Sequence, residues 1–275
     1  MNRKKIWGSV GYYFLTTLIA VIVMIPFFWM ISTSLKSKGA LMAMPIQWIP
    51  KEPTTKAYSQ VFTMFPFLKA AGNSLFITFT YTLITVISAS MAAFAFTKIK
   101  FPFSEKLFKV YLASMMIPTQ VTLIPLFIIM NKLQLINKYP SVILPSLFRV
   151  FGIFLLVQNM RSLPDDFIEA AKIDGANLFR IYRKVILPLC MPTIATLCIT
   201  TFMDCWNDYL WPLLMLTDKN KMTLTLALNS LNGQYGTAYN VLMAGSLLSM
   251  IPIILVYIIA QTQSKKGSIE GGVKG

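Results

Sequence analysis

Six apolar runs of about 20 residues or more constrain this fold most, because a helix of that length crosses the roughly 30 Å hydrocarbon core of a bilayer. They cover residues 10–31, 70–97, 110–130, 139–160, 186–206 and 240–261. Within a bilayer each backbone N–H and C=O needs an internal partner, and a helix is how a lone apolar run supplies it. The pattern predicts an all-α membrane protein with six transmembrane helices. Composition agrees: 56% of the 275 residues are apolar and 13% are charged, against roughly 25% charged in soluble chains.

The net charge of +15 does not indicate nucleic acid. The basic residues are scattered singly between apolar runs without forming a basic face, which suits anchoring at lipid headgroups. An even number of spans puts both termini on one side. Placing the N-terminus, 98–109, 163–188 with the adjoining Arg161, and the C-terminal tail together gives that side 15 of the 25 Lys and Arg, against 9 opposite, with Arg149 in the membrane. The positive-inside rule then predicts cytosolic termini. The first run has a basic start, Arg3-Lys4-Lys5, is too long for a signal-peptide core and lacks a small-residue cleavage site. It reads as a retained span.

There is no histidine, HExxH or GxSxG, so an intramembrane enzyme lacks its usual base, metal ligands and nucleophile. No catalytic, cofactor or metal site is expected. Cys190, Cys198 and Cys205 have no CxxC spacing and read as small buried apolar residues. Between the first two runs, 32–69 is a connection rich in Pro and Lys, with a short helix expected near 58–62. Residues 211–231 are too interrupted by Asp218, Lys219, Asn220 and Lys221 to span. Prolines fall inside several runs: Pro26, Pro118 and Pro125, Pro188 and Pro192, and Pro252. Bilayers tolerate such breaks where protein or a cavity repairs the backbone.

Arg149 and Asp204 are the two charges placed well inside spans. Such groups pair with each other or face a polar cavity, and the sequence leaves both readings open. Trp206, Asn207, Asp208 and Trp211 form an interfacial cluster that reads either as an aromatic belt or as an outer gate and docking surface.

The strongest charged interruption is 163–188, LPDDFIEAAKIDGANLFRIYRKVILP. Pro164 suits a first helical turn, and Asp165 and Asp166 complement the helix dipole. Phe167, Ala170, Ala171 and Asp174 fall on neighbouring positions of one face, where the two alanines permit a close approach. Gly175 is placed to end this helix at positive φ. A second helix starts after Asp174 or Asn177, with Leu178, Ile181, Tyr182 and Val185 as its apolar stripe. Arg180, Arg183 and Lys184 lie off that stripe.

The run Glu169-Ala170-Ala171, then Asp174-Gly175-Ala176, then Ile186-Leu187-Pro188 resembles the EAA loop of permease subunits in binding-protein-dependent ABC importers. Met116-Ile117-Pro118, the segment from Trp206 to Leu213 and the terminal Gly-Gly-Val-Lys-Gly (271–275) are similar to its carbohydrate-uptake branch, in particular to the maltose-type second permease subunit. The resemblance covers nearly the whole chain and is strongest from about residue 70.

It implies an ABC type-1 permease architecture: a first span and outer connection (1–69), a core (70–261) and a cytosolic tail (262–275). It implies that Glu169, Ala170, Ala171, Asp174, Gly175 and Ala176 dock on a cytosolic ATPase. The implied partners are a second permease subunit, two ATPase subunits and an extracytoplasmic solute-binding protein, in a bacterial cytoplasmic membrane. The implied cargo is a sugar or oligosaccharide, with glycerol phosphate or another polyol as the alternative. The tail is also implied to approach the ATPases, although 264–270 is more polar than the family pattern. No G-x-x-x-x-G-K-[ST] loop is present, so ATP is expected to be hydrolysed by other chains. A lone ion-coupled transporter would call for more intramembrane acids than Asp204.

Overall fold

A computed structural model describes residues 3–41, 43–231 and 238–270, and it is helical throughout, with no strand among the described residues. In chain order the helices are α1 (Arg3–Ser34), α2 (Lys56–Met64), α3 (Phe67–Lys98), α4 (Ser104–Ala113), α5 (Thr119–Lys132), α6 (Pro140–Ile143) and α7 (Val150–Arg161). There follow α8 (Asp166–Ile173), α9 (Leu178–Ile181), α10 (Leu187–Leu189), α11 (Met191–Asn207), α12 (Leu210–Met215), α13 (Leu224–Asn229) and α14 (Tyr239–Glu270). Residues 271–275, which carry the terminal Gly-Gly-Val-Lys-Gly, lie outside the described residues.

Gly11–Ser34, Phe67–Lys98, Pro140–Arg161 and Tyr239–Ile259 are long and apolar enough to cross a membrane. Two bent pairs make six if each is one span: Ser104–Met116 with Thr119–Lys132, bent by 102°, and Leu178–Leu189 with Met191–Asn207, bent by 77°. The apolar run 110–130 is therefore not one straight helix. Pro118 lacks an N–H and disfavours helical geometry at Ile117, which is extended at φ −81°, ψ 117°. Pro125, by contrast, sits inside α5 without ending it. The run expected to span from residue 186 is also divided. Residues up to Leu189 belong to the amphipathic segment before the bend, and the membrane helix starts at Met191. At the other end of the chain α14 continues to Glu270, past the predicted end at 261. The added residues include Gln, Ser and Lys, several of which keep good helix propensity despite their polarity.

The chain forms two compact units. One comprises Met1–Leu68 and Ala227–Met250. In it, α2 buries Ala57 and Val61, while the Asn240 amide donates to the Lys36 carbonyl at 3.1 Å. The apolar stretch of α1 contains no buried residue until Ser32–Ser34 at its end, so its apolar face is left for lipid or another subunit to cover.

The second unit comprises Lys69–Leu226 and Ile251–Gly275. Its larger core joins Ala89 and Ala93 of α3, Leu156, Val157 and Met160 of α7, and Ile194 and Leu197 of α11. Gly152 lets these helices meet: a Cβ there would lie 3.2 Å from Leu197 Cδ1 and 3.3 Å from Ala89 Cβ. Small residues at such crossings let backbones approach, and dispersion then holds the helices together in lipid. A smaller core gathers Ile77, Val142, Trp211 and Met215. There the Trp211 indole N–H donates to the Ser141 carbonyl at 3.0 Å.

Gly152→Val places an isopropyl group between Ala89 and Leu197. It is expected to lower stability by about 1–3 kcal/mol, read as a fall in the thermal midpoint of the detergent-purified protein. An unchanged midpoint would mean that the three helices do not meet there.

Candidate functional site

Residues 163–188 fold as two short helices around one sharp turn. In α8 the amides of Ile168 and Glu169 donate to the Asp165 carbonyl at 2.8 and 3.0 Å. The helix ends in paired capping bonds, from the Gly175 amide to the Lys172 carbonyl (3.0 Å) and from the Ala176 amide to the Ala171 carbonyl (2.9 Å). This is a Schellman ending, which needs a left-handed residue, and Gly175 supplies φ +73°. No atom lies within 4 Å of a Cβ built at Gly175, so the backbone, not crowding, selects glycine. Asn177 then caps the next helix, its side-chain oxygen accepting from the Arg180 amide at 2.9 Å.

The turn divides the six predicted docking residues. Glu169, Ala170, Asp174 and Gly175 are exposed. Ala171 and Ala176 are half-buried against the core around α3 and α7. Phe167, also exposed, shares the outer face. Beside it lies a recess of about 210 Å3 lined by Asp174, Arg180 and Lys184 among others. The outer face thus offers small residues for close approach, flanked by charges of both signs.

The second helix differs from its predicted stripe. Ile181 and Ile186 are fully buried, and Tyr182 and Val185 pack beside them, but Leu178 is 49% exposed. Leu178 is the first helical residue after the Asn177 cap, ahead of the part that packs on the core. Further along, a π-helical stretch over Tyr182–Ile186 has a wider turn, which adds Ile186 to the inward face relative to an ideal 3.6-residue repeat. Tyr182 also reaches α3, with its hydroxyl 2.8 Å from the Ser90 hydroxyl and its ring 5.4 Å from that of Phe94.

One anchor was not singled out from the sequence. Lys98, at the end of α3, donates to Asp165 at 2.6 Å and to the Leu163 carbonyl at 3.0 Å. The Lys98 side chain is only 5% exposed, whereas that of Asp165 is 74% exposed. The hydrogen bond and charge of Lys98 hold the Asp165 carboxyl below the usual carboxylate range. Opposite charges 67 residues apart in sequence carry no periodic signal, so pattern reading had no means to pair them.

The intramembrane charges do meet: Arg149 donates to Asp204 at 2.7 Å, and its guanidinium lies 5.9 Å from the Tyr81 ring centre. In the aromatic cluster, Trp206 and Trp211 are buried rather than displayed as a belt. Trp206 stacks on Phe202 with ring centres 5.7 Å apart. Asn207 remains exposed, and Asp208 is half-buried and accepts from the Trp211 amide at 3.3 Å.

The profile of a family described as binding-protein-dependent transport system inner membrane component matches residues 85–267. A protein of Caldicellulosiruptor sp. (strain Rt8B.4), described as an ABC transporter permease protein, is 34% identical over 100% of this chain and 99% of its own. The arabinooligosaccharides transport system permease protein AraQ of Halalkalibacterium halodurans is 35% identical over 74% of this chain and 73% of its own. Among solved structures, a chain of a bacterial ABC transporter involved in import of the acidic polysaccharide alginate superposes with a TM-score of 0.82. It is 24% identical, covering 95% of this chain and 98% of that one, which is a likeness of fold.

Asp165→Asn is expected to destabilise the protein more than Lys98→Met, because the former leaves a buried ammonium without its counter-charge while the latter removes the ammonium. A carboxyl held low when folded stabilises above its unfolded value of about 4 and ceases to as the pH falls through its lowered folded value. The thermal midpoint of the parent should therefore exceed that of Asp165→Asn at pH 7, with the gap closing as the pH falls below about 4. Equal midpoints at pH 7 would contradict the anchor.

Proposed function

The chain belongs to the family of inner-membrane components of binding-protein-dependent transport systems, and from that premise we propose that it is the sugar- or oligosaccharide-carrying permease of an ATP-driven importer. As a permease subunit it does not itself hydrolyse ATP. It pairs with a second permease subunit to form the path. Two ATPase subunits sit on the cytosolic side and a solute-binding protein on the other, with both termini cytosolic as the 15-to-9 distribution of basic residues suggests.

The observation that supports this best is the outer face of α8, where Glu169, Ala170, Asp174 and Gly175 are exposed while Ile168 and Ile181 are held in the core. This surface is shaped for a partner but fastened to the spans behind it. In this reading the ATPase grips that face, with Ala171 and Ala176 supporting it from within. Closure of the ATPases moves α8 and the helix after Gly175 as a unit. Because both are packed on α3 and α7, the spans tilt between inward-open and outward-open arrangements. The C-terminal stretch, as far as Glu270, approaches the same ATPases. At the other side of the membrane, Asn207 and Asp208, braced by Trp206 and Trp211, form the outer gate. The alternative cargo is glycerol phosphate or another polyol.

Glu169→Lys reverses the exposed docking charge, and Gly175→Pro demands φ near −65° where the chain has +73°. Each is expected to reduce solute uptake to background while the protein still inserts in the membrane at the parent level. Normal uptake by either variant would remove the docking assignment. Purification of the complex from native membranes, with identification of its ATPase, its binding protein and the bound solute, tests the partners and the cargo.

A further inference from the structure

Helix α4 and the residue before it carry an exposed pattern that core packing does not account for. The inner face is settled: Phe108 is 4% exposed in the larger core, with Tyr111 and Leu112 packed beside it. Two further stripes are left outside. Phe103, Leu107 and Val110, spaced i, i+4, i+7 and so on one side of a helix, are 72%, 53% and 70% exposed. Lys106 and Lys109, one turn apart and also exposed, form the neighbouring stripe. No carboxylate neutralises them. Among the described residues the ion pairs are Lys98 with Asp165 and Arg149 with Asp204, and Glu105 in the first turn of α4 joins neither lysine.

What α4 packs on fixes the level of these stripes. Phe108 shares the core with Met160, and the Arg161 guanidinium at the end of α7 lies 5.2 Å from its ring centre. Lys98 closes α3 shortly before α4 begins at Ser104. The first turns of α4 therefore sit at the ends of α3 and α7, on the side assigned above to the cytosol, where hydrocarbon gives way to headgroups. Phe103 enters the helix at φ +63°, a left-handed conformation that is costly for a bulky side chain. Its ring stays outside all the same, with the Lys106 ammonium 5.6 Å from the ring centre.

An apolar stripe beside a basic one is how a helix engages a membrane surface. Acyl chains cover the apolar residues, while lysine stems run along them and hold their ammonium groups among the headgroups. The uncompensated charge selects the headgroup. A zwitterionic lipid brings a cation of its own, whereas an anionic one brings the net negative charge that Lys106 and Lys109 lack. We propose that α4 is a binding site for an anionic phospholipid, with Lys106 and Lys109 on its phosphate and Phe103, Leu107 and Val110 against its acyl chains. Arg161 adds a third cation at the same end of the spans.

The test uses the complete complex in phosphatidylcholine liposomes that contain a trace of phosphatidylglycerol with a photoreactive acyl chain. Adducts are mapped to peptides by mass spectrometry, with labelling of the other spans as internal reference. The parent is expected to be labelled within 103–110, in competition with added phosphatidylglycerol but not with added phosphatidylcholine. Lys106→Gln with Lys109→Gln should cut that labelling by about 30-fold at low ionic strength, the loss of two headgroup-level charges. Lys106→Arg with Lys109→Arg should keep it, which separates lost charge from lost structure. Salt at about 1 M, where the Debye length is about 3 Å, should weaken labelling of the parent. Equal labelling of the parent and the Gln variant, or by a phosphatidylcholine probe, would overturn the site, because bulk lipid would then suffice. A parent without adducts in 103–110 would overturn it as well, since another subunit would then cover the stripe.

Discussion

The burial of Ile168, Ile181 and Ile186 against α3 and α7 is the contact on which the rest of this structure depends. A polar segment at a membrane surface would otherwise lie loosely on headgroups, and a force applied to it would be dissipated there. Here the side of the segment facing the protein is continuous with the core of the spans, so displacement of one displaces the other. Densely packed interiors transmit strain in this way. The salt bridge from Lys98 to Asp165 and the hydroxyl contact between Ser90 and Tyr182 tie both helices of the segment to α3. The outer face, with Glu169, Ala170, Asp174 and Gly175, is exposed, small and charged.

The two bends extend the same logic into the membrane. The turn at Ile117–Pro118 brings the first turn of α5 to the edge of a cavity of about 410 Å3 that Arg149 and Asp204 also line. The bend at Cys190 separates the surface segment from the membrane helix α11 that carries Asp204, so the two lie at opposite ends of one 17-residue helix.

Much of this was legible in the sequence, for identifiable reasons. Length and apolarity located the membrane segments, because a bilayer leaves helices as almost the sole solution. The positive φ at Gly175 was readable, and Asn177 was one of two starts open for the next helix, because capping chemistry is local. The inward turn of Ala171, the exposure of Leu178 and the pairing of Lys98 with Asp165 were not. The first two depend on where the core sits, and the third on a fold that joins distant residues. Arg149 and Asp204 were legible as a pair of unusual charges, but the sequence did not bring Tyr81 to them. Proline positions indicated breaks without distinguishing Pro118, which ends a helix, from Pro125, which does not.

Cross-linking from the outer face of α8 tests the central claim most directly. Ala170→Cys and, as a control, Ala171→Cys would be treated in membranes with a short thiol-to-amine reagent, with the parent chain correcting for its own cysteines. Docking through α8 predicts that Ala170→Cys joins the chain to a nucleotide-hydrolysing subunit, while the half-buried Ala171→Cys reacts far less. Absence of that product from a transport-competent complex, or equal yields from the two positions, would contradict it.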